Sequence, residues 1–317
     1  MRNDPVGWGE RTRTPTRIAL CWGSLCSPQP AQIAWLPFLL LFLYFTSAQA
    51  ELRIADDLGH TLVLPVPPQR IVSLAPHITE LLFAAGAGPR LVAAVDYSDY
   101  PPEAQRLPRV GDATRIDHER LLALKPDLVI AWASGTPARE LDILRRLGVP
   151  LYLSAPRRLE AIGAQLRQFG LLARSTAQAE RAAQDYERRL AALRARYAQV
   201  QRRTVFYQLA LQPLLTINRE HIINDVLELC GAANPFADLP VLTPHVAIEA
   251  VLAARPEAVI LALYPGEKVV DTQQFWRRYG LSADTRFIGV PGDYIHRATP
   301  RILEGVERIC AGLAETP

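Results

Sequence analysis

Two rhythms of apolar and polar positions alternate along this chain. Short aliphatic runs bounded by Pro or Gly, over 70–74, 128–131 and 258–261, read as buried strands. Between them, apolar residues recur every three or four positions and predict helices. The longest such stretch, 175–203, holds no Gly or Pro. Its stripe of Ala179, Ala183, Tyr186, Leu190, Leu193, Tyr197 and Val200 predicts one helix about 40 Å long at ~1.5 Å per residue. Ser175 and Gln178 have capping-box spacing at its start.

In order, the pattern predicts two short strands over 52–54 and 61–64 around Asp57-Leu58-Gly59, then a strand over 70–74. A helix capped by Thr79 runs to Ala85, and a strand over 91–95 follows. Helix 117–125, strand 128–131, a helix from Thr136 to Gly148, strand 149–153 and helix 158–172 complete the first half. After the long helix the alternation returns: strand 204–209, helices 222–230 and 248–255, strand 258–261, helix 275–279, strand 287–290 and helix 300–313. One segment repeats without a gap: Glu119-Arg-Leu-Leu-Ala-Leu-Lys-Pro-Asp-Leu-Val-Ile130 matches Glu249-Ala-Val-Leu-Ala-Ala-Arg-Pro-Glu-Ala-Val-Ile260. Strand–helix alternation on both sides of one long helix predicts an α/β fold of two related, Rossmann-like lobes. The expected divisions are a leader at 1–50, a hairpin segment at 51–69, an N-terminal lobe at 70–172, a linker helix at 173–203 and a C-terminal lobe at 204–317. A single stiff connector restricts how widely the lobes can close.

The first fifty residues break the pattern. Arg2, Arg11, Arg13 and Arg17 precede an uncharged stretch, the run 33–45 is strongly apolar, and Ala48 and Ala50 suit signal peptidase. The run is short for a span of about 20 residues, so a cleaved leader with export to the periplasm is expected, the mature chain starting at Glu51. The first part of this segment is long for a leader, and a start codon further downstream is an alternative. Beyond it only Cys230 and Cys310 remain, either a disulfide of an oxidising compartment or two buried thiols. The 317 residues are 49% hydrophobic and 21% charged, with a net charge of +3, which gives no basic stripe for nucleic acid.

Ligand groups in parallel α/β lobes sit on loops at the carboxyl ends of strands. Those loops carry Pro76 and His77, Tyr97 within Asp96-Tyr97-Ser98-Asp99-Tyr100, and Trp132; the second half supplies 211–216 with Leu215, Tyr264-Pro265-Gly266, and 292–297 with Asp293, Tyr294 and Arg297. Recurring aromatics with a few polar groups suit a large, flat, partly apolar ligand. Any one of these rings could instead serve lobe packing. No nucleophile elbow, phosphate loop or metal-ligand spacing occurs, so neither an enzyme nor a bound cofactor or structural metal is expected. His77 alone reads as a hydrogen-bonding residue, with contact to a ligand's metal as the alternative.

The segments 70–80, 97–102, 123–132 and 293–301 resemble the vitamin B12 branch of the helical-backbone periplasmic binding proteins, which serve ABC importers of B12, haem and iron–siderophores. The likeness runs from about 70 to 313. It implies corrinoid contacts at Tyr97 and Trp132, and hydrogen bonds from the 293–297 loop to the corrin amides or nucleotide tail. It matches Glu119 and Glu249 to two acidic knobs that dock on a dimeric inner-membrane permease, and it places Cys230 and Cys310 where the family has its disulfide. A monomer carrying one corrinoid is implied. The chain departs from the pattern where Ala113, Leu215 and Thr243 stand in place of further aromatics, and where His77 replaces a smaller residue. A haem or iron–siderophore binder is the alternative within the family, and an exported α/β enzyme the alternative outside it.

Overall fold

A computed structural model describes residues 51–112 and 114–314; the expected leader and Ala113 lie outside the described residues. β1 (Leu52–Ala55) and β2 (Thr61–Leu64) form an antiparallel hairpin, with Gly59 at positive φ in its turn. β3 (Ile71–Ser73) leads to α1 (Pro76–Ala84), and β4 (Leu91–Ala94) to α2 (His118–Ala123). β5 (Leu128–Trp132), α3 (Ala138–Arg146), β6 (Leu151–Ser154) and α4 (Leu159–Leu172) follow. Strand order β4-β3-β5-β6 is parallel throughout.

The long helix α5 is Thr176–Tyr197, 22 residues or roughly 33 Å. It stops short of the predicted end at 203: the chain leaves the helix at Ala198, and Val200 packs against Gly231. The six remaining stripe positions, Ala179 to Tyr197, are all buried. Ser175 stands at the N-cap, but its hydroxyl donates 2.6 Å to the Ala85 carbonyl rather than closing a capping box. Side-chain bonding to the neighbouring helix end has replaced bonding within the helix. α4 and α5 run antiparallel at close range because Gly170 has no Cβ to strike Ala179.

The second lobe is built from β7 (Arg203–Gln208), a small hairpin of β8 (Ala210–Leu211) and β9 (Leu214–Leu215), α6 (Ile222–Leu229), β10 (Ala232–Ala233) and α7 (Ile248–Ala254). β11 (Ala258–Leu263), α8 (Val269–Arg278), β12 (Arg286–Pro291), α9 (Gly292–Ile295) and α10 (Ile302–Ala314) complete it. Its parallel order β10-β7-β11-β12 repeats that of the first lobe, each sheet reading second strand, first, third, fourth. The repeat extends to atomic detail. Lys125 and Arg255 both take φ +46 between helix and Pro, and Asp127 and Glu257 each accept a backbone N–H from the start of the lobe's first strand.

Residues alternate across each sheet, as the strand period requires. Val72, Leu74, Val129 and Ala131 face a core private to the first lobe, and Phe206, Val259 and Trp276 one private to the second. Ile71, Ile130, Tyr207 and Ile260 face the other way, into a core that runs through α1, α4, α5, α6 and α10 and belongs to both lobes. The connector is therefore packed along its length, not a rod between separate bodies. Cys230, after α6, is bonded to Cys310 in α10 across 80 residues, worth about 4 kcal/mol on the chain-entropy model.

Candidate functional site

The loops after β3, β4 and β5 leave the first sheet at its carboxyl edge, and those after β7, β11 and β12 leave the second at its own. Arg297 joins the two edges. Its Nη1 donates 2.7 Å to Asp99 and its Nη2 3.1 Å to the Tyr97 carbonyl, while Asp293 holds it from its own lobe at 2.8 Å. The predicted residues Tyr97, Asp293 and Arg297 are thus brought together at one lobe boundary.

Deeper in, Glu80 crosses the same boundary. Its side chain is 3% exposed; Arg301 Nε and Nη2 donate to it at 2.7 and 2.6 Å, and the Thr299 hydroxyl at 2.6 Å. The Arg301 guanidinium lies 3.8 Å from the centre of the Tyr100 ring and 5.5 Å from that of Tyr294. Glu80 carries no sequence signal for this role, as one of three polar residues, with His77 and Thr79, in the short helix α1. A second set of bonds ties the lobes at α4: Arg158 pairs with Asp225 at 2.7 Å, and Leu159 N–H donates to the same carboxylate.

The loop after β4 is shaped to show its aromatic side chain. Tyr97 sits at φ +62, a left-handed conformation that costs a residue with a Cβ roughly 1–2 kcal/mol, and its residue is 79% exposed. Arginines hold the turn: Arg109 donates to the Val95 and Ser98 carbonyls, Arg297 to that of Tyr97. Beneath it, Thr79 Oγ1 lies 2.8 Å from Ser73 and 3.1 Å from Ser98. Thr79 is thus mid-helix, not the expected cap: Pro76 occupies the first turn, where its missing N–H costs nothing, and the N-cap is Ala75, four residues earlier.

Trp132 ends β5 half-buried. Gly135 leaves room for its ring, since a Cβ there would overlap Trp132. His77 meets that ring edge-on at 5.2 Å and is itself buried, so it underlies Trp132 rather than opening on the cleft. Leu215, in β9, is half-buried and pairs with Ala210. Tyr294 turns towards α10, with Arg308 5.2 Å from its ring centre. Trp132→Ala is expected to weaken ligand binding by about 1–3 kcal/mol, read by calorimetry; unchanged affinity would make the ring a packing residue.

Three histidines are kept neutral. Burial, then the charge of Arg297, lowers His77 to about 3; burial, then His296, lowers His221 to about 4; burial lowers His296 to about 4. The unfolded chain takes up protons near the ordinary value of 6.5 while the fold does not, so this contribution is complete above that pH and is lost as pH falls towards 4. The urea midpoint should accordingly drop between about pH 6.5 and 4.5; a level midpoint would mean the rings charge within the fold.

Glu119 and Glu249 occupy equivalent places, exposed in the first turns of α2 and α7, and neither makes an ion pair among the described residues. A helix that feeds a parallel strand starts at the carboxyl edge of its sheet, so both carboxylates stand at the edges that carry the cleft loops.

A periplasmic binding protein family model matches residues 71–275. The chain is 40% identical over 256 residues to the vitamin B12-binding protein of Vibrio cholerae serotype O1, covering 80% of this chain and 91% of that one. The crystal structure of the periplasmic vitamin B12 binding protein BtuF of Vibrio cholerae superposes with a TM-score of 0.71 at 40% identity, covering 78% and 97% of the two chains. The periplasmic haem-binding protein RhuT from Roseiflexus sp. RS-1 superposes with a TM-score of 0.65 at 26% identity, covering 77% and 97%. With a family model matched over 71–275 and relatives covered almost end to end, this chain belongs to the periplasmic binding protein family.

Proposed function

We propose that this protein binds a corrinoid of the vitamin B12 class between its lobes in the periplasm and delivers it to an ABC permease, without catalysing a reaction. The observation that carries the reading is the composition of the lobe boundary: exposed Tyr97 and half-buried Trp132 beside charges held in ion pairs. Glu80, Asp99 and Asp293 all pair with Arg297 or Arg301, three carboxylates to two guanidiniums, which leaves no positive field for an anionic ligand and much surface for a broad, uncharged, amide-fringed ring. The 40% identity to a vitamin B12-binding protein over most of both chains supports the same ligand, against 26% to a haem binder.

His77 weighs against haem. An axial ligand needs a ring nitrogen open to the iron, and the His77 Nε2 atom is buried beneath Trp132. Tyr97, Trp132, Asp293 and Arg297 are the residues assigned to the ligand, Glu119 and Glu249 those assigned to a permease of two subunits; the binding protein itself acts as a monomer. An export leader within residues 1–50 delivers it to the periplasm. Parallel calorimetric titrations with cyanocobalamin, cobinamide and haemin test the ligand class. Submicromolar binding of one cyanocobalamin is the expected result, and binding of haemin alone would replace corrinoid by haem.

A further inference from the structure

A chain of three side chains in the second lobe is absent from the ligand set above. His296, directly after α9, bridges two phenols: its Nε2 lies 2.9 Å from the Tyr207 hydroxyl and its Nδ1 2.7 Å from the Tyr264 hydroxyl. Tyr207 lies in β7 and is wholly buried. Tyr264 follows β11 at the carboxyl edge of the sheet and is 46% exposed. Its ring packs over Gly292, where any Cβ would strike it, which sets it beside Asp293.

The direction of these bonds follows from burial. A neutral imidazole donates from one nitrogen and accepts at the other. Were the proton on Nε2, it would donate to the Tyr207 oxygen, and the Tyr207 proton would be enclosed with no second acceptor among the described residues. Such an orphaned donor is disfavoured. Tyr207 therefore donates to Nε2, the Nδ1 proton goes to the Tyr264 oxygen, and the Tyr264 O–H is left to donate elsewhere. The groups facing His296 do not upset this arrangement. His221, whose Nδ1 accepts from Ile223 N–H, is itself held neutral, and Asp293 is engaged by Arg297. Glu267 is bonded to the backbone N–H of Tyr264 rather than to its hydroxyl. No hydrogen bond joins Tyr264 to the Asp293 carboxylate, whose charge nevertheless helps burial push the phenol upward.

We propose that Tyr264 is a ligand-contacting donor, oriented by the positioning residue His296 and the buried Tyr207, and that Tyr264 O–H and the Asp293 carboxylate together receive a primary amide on the ligand rim. The hydroxyl gives a proton to the amide oxygen, and the carboxylate takes one from the amide nitrogen. A rim carboxylate has no N–H to give Asp293 and would set two acceptors face to face, so the pair selects amide over acid. This assignment rests on the corrinoid reading, because a corrin carries primary amides where haem carries propionates.

Calorimetry with cyanocobalamin and cobinamide on the full protein tests it. Tyr264→Phe keeps the ring and removes the donor, and should weaken both ligands about 10-fold, the scale of one hydrogen bond. His296→Leu should do the same without adding to Tyr264→Phe in the double variant, while His296→Asn, which keeps an N–H near the Nδ1 position, should recover most of the affinity. Nitrogen-15 spectra of the ligand-free protein, assigned with His296→Asn, should show His296 protonated at Nδ1 and bare at Nε2. Wild-type affinity in Tyr264→Phe, or a proton on Nε2, would overturn the proposal. A loss confined to cyanocobalamin would place Tyr264 on the nucleotide tail and overturn the rim-amide assignment. A wild-type protein that binds neither corrinoid would reject the ligand reading itself, and the amide partner with it.

Discussion

Glu119→Ala combined with Glu249→Ala is expected to abolish delivery to the permease while leaving corrinoid affinity unchanged. The two carboxylates are the same residue of a duplicated unit. Each opens a short helix that ends in a left-handed Lys125 or Arg255, followed by Pro and the third strand of its lobe. Both side chains are exposed, and neither is engaged by an ion pair among the described residues, so removing them breaks no ion pair there. Two equivalent charges on two equivalent lobes suit a partner with two-fold symmetry. Truncating one partner of a desolvated interfacial pair costs about 2–5 kcal/mol, so two losses should leave no productive complex. Uptake by permease-containing vesicles and calorimetry on the same variant separate the outcomes. Retained uptake would remove these residues from the interface, and lost affinity would give them a role in the fold.

The second large effect is expected at Glu80. Its carboxylate is enclosed and receives Thr299 and both arms of Arg301 from the opposite lobe. A buried ion pair adds little beyond what it costs to desolvate, but breaking one from a single side strands the partner charge, at about 3–5 kcal/mol. Glu80→Ala should lower the urea unfolding free energy by about that much. Glu80→Gln should lose less, since it still accepts from Thr299. Because the same contact fixes the lobes against each other, ligand affinity should fall as well. An unfolding midpoint equal to wild type would show that the shared core alone sets the lobe arrangement.

Much of this architecture could be read from periodicity. The buried stripe of α5, the Pro-terminated helices and the repeat of 119–130 at 249–260 each depend on local chemistry, and each recurs in the structure. The elements missed were short or special. The β8–β9 hairpin and β10 are two-residue pieces with no period to detect, and α9 is a single turn. Thr79 misled because a hydroxyl at the start of an apolar run resembles a cap, whereas Pro76 had already opened the helix. Tyr97, Trp132 and Asp293 could be placed near strand ends because those ends are visible in sequence, although Trp132 closes β5 and Asp293 lies in α9, not on loops. The bonds among Glu80, Thr299 and Arg301 could not, since they join residues more than 200 positions apart. The same holds for Tyr207, Tyr264 and His296, whose meeting depends on how three strand ends align in one sheet.

A ligand held between the carboxyl edges of the two sheets can be located directly by its metal. X-ray data from the cyanocobalamin complex, collected at the cobalt absorption edge, locate the metal without reference to the protein. One anomalous peak is expected between Tyr97 and Trp132 on one side and Asp293 and Tyr264 on the other. A peak elsewhere, such as the cavity lined by Arg203, Leu281 and Asp284 at the far end of the second sheet, would contradict that placement.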